Sequence, residues 1–265
     1  MQAGYVQKLR FLNGGASPTL MCLLVFMVTI GCSKKETPQK STELVILCGS
    51  SFVPPTDQLC SEFKAKTGIE TVRTVGGSED LLPHVKAHIK GDIFITHDPY
   101  LDYTSQADAL EDDVQVGFVA PVLVVQKGNP KGIKSIEDLT REGLKVALTD
   151  PQYSTAGEMV FALLEKKGIK DAVLKNVENR LTKGHSNIGT FLKTQAVDAG
   201  IMWNGVAHTF TDSLDIIKTP YEYEEEIRVH IMGLSYTKQP EALEQFMEFV
   251  RKRGPAIFAE YGYVK

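Results

Sequence analysis

From Glu43 onward the chain alternates short apolar runs with amphipathic segments, and this alternation constrains the fold more than any other feature. The run "ELVILC" is continuous and of strand length, the kind buried on both faces. "PTDQLCSEFKAKTG" follows, with Leu59 and Phe63 four apart and a stop at Gly68, which predicts an amphipathic helix. "IETVRTV" then reads as a strand, "SEDLLPHVKAHIK" as a helix, "GDIFIT" as a strand and "PYLDYTSQADAL" as a helix opened by Pro99. Such β-α-β-α order predicts a doubly wound, largely parallel sheet.

The run "VGFVAPVLVVQKG", interrupted by Pro121, reads as a strand leaving one lobe for another. A second series follows: "KVALT", the helix "AGEMVFALLEKKG", "VENRL", the helix "SNIGTFLKTQ", "DAGIMW" and "DIIKT". "RVHIMGLSYT" reads as a return crossing, and "PEALEQFMEFVRKRG" as a tail helix with Leu243, Phe246, Met247 and Val250 on one face. Two α/β lobes joined by two crossover strands make a clamshell, and ligands of such folds bind between the lobes at the carboxyl ends of the strands. The expected division is residues 43–122 with 233–265 for the first lobe and 123–232 for the second. No repeat of solenoid period occurs.

The first 42 residues do not belong to this pattern. Lys8 and Arg10 precede the apolar run Leu20–Ile30, too short for a permanent membrane span, and residues 1–31 read as a secretory signal. "TIGC" ends the run and resembles the bacterial lipobox, with Thr29 where an aliphatic residue is usual. The resemblance implies cleavage before Cys32, lipidation of its thiol, and a tethered protein in the periplasm or on the outer face of the cytoplasmic membrane. Residues 32–42, rich in Lys, Ser and Thr, then serve as a flexible leash. The whole chain carries −4, and loss of Lys8 and Arg10 takes the mature part to −6. An acidic chain without a basic tract argues against a nucleic-acid partner. Of the four cysteines, Cys48 and Cys60 remain in the body; an oxidising compartment permits a bridge, but one ends a strand and the other sits within the next helix.

The strand ends carry the candidate chemistry. In "CGSSFVPP", Gly49-Ser50-Ser51 precedes a Pro pair suited to a first helical turn, so unpaired N–H groups and a hydroxyl stand beside a positive helix end. Capping of its own helix is the plainer use of such a serine. "VGGSED" repeats the device with Gly77 and Ser78, "TDPQYSTAG" with Thr155 and Ala156, and "GHSNIG" with His185 and Ser186. Trp203, in "GIMWNGVA", ends another strand; a lone Trp there is more often core than contact.

The ordered set "GSSF", "GGS", "GDIFIT" with Asp98, "VLVVQKGNP", "ALTDPQYSTAG", "DAGIMW" and a closing "IFAEYGY" resembles the molybdate-binding protein family over residues 42–265. These are the periplasmic components of ATP-driven (ABC) oxyanion importers, with the bilobed type II periplasmic-binding-protein fold. The resemblance implies capture of a molybdate- or tungstate-like tetrahedral oxyanion by hydroxyls and backbone N–H groups, without a charged side chain. It places the family's serines at Ser51 (or Ser50) and Ser78 (or Gly77), its backbone donors at Ala156 and near His185, and its tyrosine at Trp203. It also implies an ABC permease with its ATPase as partner, a monomer, no cofactor and no enzymatic activity. A fully deprotonated tetrahedral dianion offers only acceptors, so a site of donors suits it. Trp203 departs from the family pattern, as do Glu79 and Asp80 beside Ser78. Pro83 suggests a shifted helix start.

Two other readings are weaker. His84 and His88, four apart on a helix, could hold zinc or copper, but they lie between lysines on what reads as a solvated face. An enzyme would need Ser51 activated by His97 or His185, and the chain has no Gly-x-Ser-x-Gly elbow, Walker or dinucleotide motif.

Overall fold

A computed structural model describes residues 43–220, 222, 223 and 226–264. The signal, the leash and Cys32 lie outside the described residues.

The first series comprises β1 (Glu43–Gly49), α1 (Val53–Thr67), β2 (Glu70–Gly76), α2 (Ser78–Lys86), β3 (Ile93–His97), α3 (Tyr100–Gln106) and β4 (Leu110–Val119). A 3-10 turn, Ser50–Phe52, joins β1 to α1. Then come β5 (Pro121–Gln126), β6 (Val146–Thr149), α4 (Thr155–Lys166), α5 (Lys170–Val177), β7 (Leu181–Thr182), α6 (His185–Lys193), β8 (Ala199–Trp203), α7 (Asn204–His208) and β9 (Leu214–Ile217). The chain ends with β10 (Ile227–Leu234) and α8 (Pro240–Glu260).

Two five-stranded mixed sheets result, ordered β2-β1-β3-β10-β4 and β7-β6-β8-β5-β9. Their plans match. In each, three parallel strands are followed by one strand antiparallel to both its neighbours, β10 in the first sheet and β5 in the second. Only Ala120 separates β4 from β5, so the first crossing is abrupt; the second runs from β9 to β10. β10 lies wholly in the first sheet, and the expected lobe boundary after residue 232 falls inside it.

Most sequence expectations for single elements match, with three instructive differences. "VENRL" is largely the end of α5 and a turn, and only Leu181 of it is strand; Val173 and Val177 pin this short helix into the second core. α2 begins at Ser78 with Pro83 inside it, so the proline does not shift the start. α8 continues through Pro255 because Ile257 and Phe258 are fully buried beyond it. α1 stops where expected, at Gly68, whose φ of 77° is left-handed and accessible mainly to glycine. Cys48 and Cys60 are free buried thiols, and burial pushes Cys48 up to about 12.

One apolar cluster runs from Ile46 and Phe52 under the first sheet to Val124, Met202 and Trp203 of the second. Tyr263, 1% exposed, stands at its centre. Its ring lies 5.4 Å from Phe52 and 5.5 Å from Phe258, its carbonyl accepts from the Phe118 N–H, and its hydroxyl donates to the Ser51 carbonyl. Gly205 makes room for that ring: a Cβ there would sit 2.2 Å from Tyr263 Cζ. Gly205→Ala is therefore expected to cost about 1–3 kcal/mol by overpacking a ring that cannot retreat. Chemical denaturation checks this, and unchanged stability would refute the packing account.

Candidate functional site

The parallel register brings the hydroxyl-bearing turns together. Gly49 of β1 pairs with Gly76 of β2, so the turns carrying Ser50–Ser51 and Gly77–Ser78 leave the sheet side by side. In the second sheet Thr149 pairs with Thr182, which sets the start of α4 beside the start of α6 in the same way. All four junctions line one cavity of about 50 Å³ between the sheets, room for a ligand of a few heavy atoms.

Of the residues anticipated from sequence, Ser50, Ser51, Gly77, Ser78, Thr155, His185 and Trp203 border this cavity. Ala156 and Ser186 do not. The Ala156 side chain is buried in the core, with its N–H in the first turn of α4, and Ser186 is exposed on α6. Helix starts at the cavity are mostly uncapped. The Ser50–Phe52 turn, α1, α2 and α6 have no side-chain cap; only α4 has one, where Ser154 Oγ accepts from the Gly157 N–H at 3.4 Å. Ser78 thus does not cap its own helix. It accepts instead from Thr96 Oγ1 at 2.6 Å, which leaves its own proton to donate.

His185 is fixed similarly. Its Nδ1 accepts the Trp203 backbone N–H at 3.3 Å, so the proton of the neutral ring sits on Nε2. Burial, and then the neighbouring His97, pushes this imidazole down to about 3, so at neutral pH it is an uncharged donor. His97 is also lowered by burial. Its Nδ1 lies 2.6 Å from the Asp98 carbonyl and must donate to it, which leaves Nε2 as an acceptor. Trp203 packs its indole against both imidazoles, 5.4 Å from His185 and 5.7 Å from His97, and is both core and cavity wall.

A family model for bacterial extracellular solute-binding proteins matches residues 44–264. The chain belongs to this family. It is a solute-binding protein of ABC transport, and the family is extracellular or periplasmic and not enzymatic. The molybdate-binding protein ModA of Mycobacterium tuberculosis is 25% identical over 271 residues, which span 95% of this chain and 98% of that one. Among solved structures, the periplasmic molybdate-binding protein of Azotobacter vinelandii superposes with a TM-score of 0.69 at 18% identity, over 84% of this chain and 99% of that one. The sulfate-binding protein SubI of M. tuberculosis gives 0.68 at 16% identity, over 84% and 86%. These structures show the type II periplasmic-binding-protein fold. Among the described residues no helix is long and apolar enough to cross a membrane, and no cluster of His, Cys, Asp and Glu could hold a metal ion.

In this solute-binding protein the cleft is bridged from side to side. Lys183, before α6, pairs with Asp80 of α2 at 3.1 Å, and its ammonium lies 5.3 Å from the Tyr153 ring centre. Tyr100 of α3 hydrogen-bonds Thr155 of α4, and burial, then the charge of Glu79, pushes its hydroxyl up to about 12. Sequence reasoning left open whether Glu79 lines or leaves the site, did not single out Tyr153, Ser154 and Lys183 as wall residues, and considered His97 only as a base. One signal could have found His97: it ends β3, and every neighbouring strand end faces the same cleft.

Proposed function

We propose that this chain captures a small tetrahedral oxyanion between its lobes and presents it to an ABC permease with its ATPase. The observation that carries this reading is the convergence of uncapped helix starts from both sheets on one small cavity. Helix N-termini offer unpaired N–H groups and a positive potential, and Ser50, Ser51, Ser78, Thr155 and His185 add neutral donors. Molybdate and tungstate lead the class, since relatives of 25% identity are molybdate-binding proteins. A second reading, a different small oxyanion, is favoured by the acceptors Glu79 and His97 in the wall.

A thermal-shift panel of molybdate, tungstate, sulfate, phosphate and small carboxylates tests this. A ligand at about a thousand times its Kd stabilises the folded state by about 4 kcal/mol, which raises the melting temperature by several degrees. No shift with any tetrahedral oxyanion would refute the oxyanion reading. Ser78→Ala is expected to weaken binding of the stabilising anion by about 1–3 kcal/mol, on the order of ten- to a hundredfold, by removing one donor among several. Calorimetry reads it.

Anchoring through a lipid on Cys32 is part of the same proposal and is supported by the basic head and apolar run that precede it. Cys32→Ser is expected to release the protein from the membrane fraction.

A further inference from the structure

We propose that Glu79 and His97 make this cavity select an oxyanion that keeps a proton at neutral pH, of the monohydrogen phosphate or arsenate kind, over fully deprotonated dianions such as sulfate and molybdate. This rests on the oxyanion reading and takes its second form, a different small oxyanion, in place of the molybdate-like one.

Glu79 folds back over the start of α2, so closely that a Cβ on Gly77 would lie 2.3 Å from its Oε1. A carboxylate thus stands in the cavity wall beside Ser78, at a helix start that would otherwise present only donors. Its charge is not cancelled at the rim. Lys183 is the nearby cation and is already engaged by Asp80, so Glu79, Asp80 and Lys183 together carry −1. His97 adds a second acceptor, because the Asp98 carbonyl takes its Nδ1 proton and only Nε2 is left for a ligand.

The wall therefore combines donors with two acceptors. Every oxygen of a deprotonated dianion is an acceptor. Placed here, one of them faces a carboxylate or an imidazole lone pair with no proton between them, which is repulsive and leaves both groups desolvated and unpaired. A ligand hydroxyl reverses that contact by donating to Glu79 or His97 while its other oxygens take the serine, threonine, His185 and backbone donors. Sites built to pair with a ligand hydroxyl reject analogues lacking it strongly, because the buried partner is left unpaired.

Calorimetry of the whole protein with phosphate, arsenate, sulfate, molybdate and tungstate at neutral pH tests this. Phosphate and arsenate are expected to bind at least about tenfold more tightly than the other three. Glu79→Gln, which keeps the shape but can donate, is expected to remove or invert that ratio, with the ligand-free melting temperature reporting an intact fold. Sulfate or molybdate matching phosphate in the unaltered protein overturns the selectivity, whatever the variant does. So does a ratio that Glu79→Gln leaves in place. If none of the five anions binds, the oxyanion reading fails and this one fails with it; if only the ratio is wrong, the oxyanion reading stands.

Discussion

Replacing Asn204 by aspartate is expected to cost about 3–5 kcal/mol, although the two side chains have nearly the same shape. Asn204 stands where the first crossing, the start of α7 and the C-terminal tail meet. Its Nδ2 donates to the carbonyls of Phe118 (3.2 Å), Gly262 (3.0 Å) and Val264 (3.0 Å). Its Oδ1 accepts from the Ala120 N–H at 3.2 Å, and its backbone N–H donates to the Ala120 carbonyl at 2.9 Å. Only 9% exposed, it has little access to water. A carboxylate would keep the bond from Ala120 but turn a charged oxygen towards three carbonyl oxygens. Asn204→Ala removes the same donors without adding a charge and is expected to cost less, about 1–3 kcal/mol. Denaturant unfolding of both variants checks the order. Aspartate no worse than alanine would mean that these hydrogen bonds do not hold the crossing. Lower pH supplies a second check. The introduced carboxyl has its folded-state pKa raised, so the folded variant takes up a proton first, and its deficit against the parent shrinks as pH falls.

The same position ties the crossing to the cavity. Trp203, immediately before Asn204, forms cavity wall, and Gly205, immediately after it, carries the Tyr263 ring whose hydroxyl holds the Ser51 carbonyl. The crossing is therefore packed directly against residues that line or support the cavity wall.

How much of this was legible in the sequence depended on the range of the interaction involved. The alternation from β1 to α3 was readable because each apolar run is local and is punctuated by a glycine or proline, as at Gly68 and Pro99. The hydroxyl turns at Ser51 and Ser78 were readable for the same reason. α5 was not, since eight residues with Val173 and Val177 as their apolar anchors carry too little periodicity, and packing under the second sheet decides their form. Lys183 and His97 escaped as wall residues, and the orientation of Glu79 stayed open, for a longer-range reason. Which way they aim depends on the register of β1 with β2, on the abrupt crossing at Ala120, and on the Lys183–Asp80 pair across the cleft. No local pattern encodes those. The rim of the cavity carries an ion pair and a further carboxylate, which the resemblance to a site of neutral donors does not imply.

Stability is expected to fall by about 2–3 kcal/mol between pH 7 and about pH 4.5 through His185 alone. Burial lowers this imidazole from 6.5 to about 3 in the folded chain, with His97 adding to the effect. Between those values the unfolded chain binds the proton and the folded one does not, so the stabilisation is complete above 6.5 and is lost as pH falls towards 3. His97 is depressed by burial too and acts in the same direction. The carboxylates can be separated from this by their range. Glu137, held down to about 2 by its hydrogen bond from Lys167, and Asp215, lowered by its bond from Lys127, lose their stabilisation only below their ordinary values of 4.5 and 3.8. Loss above about pH 4.5 therefore reports the buried imidazoles at the cavity. His185→Gln keeps an acceptor for the Trp203 N–H but takes up no proton, so its stability curve should be flatter over this interval, whatever its absolute stability at neutral pH. Denaturant midpoints measured across the range provide the comparison, and parallel curves for parent and variant would show that His185 is not held neutral by its burial. On the proposed function the same neutrality would let His185 donate to an anion without committing a fixed charge to the cleft, and acid lability and ligand capture would then trace to one buried ring.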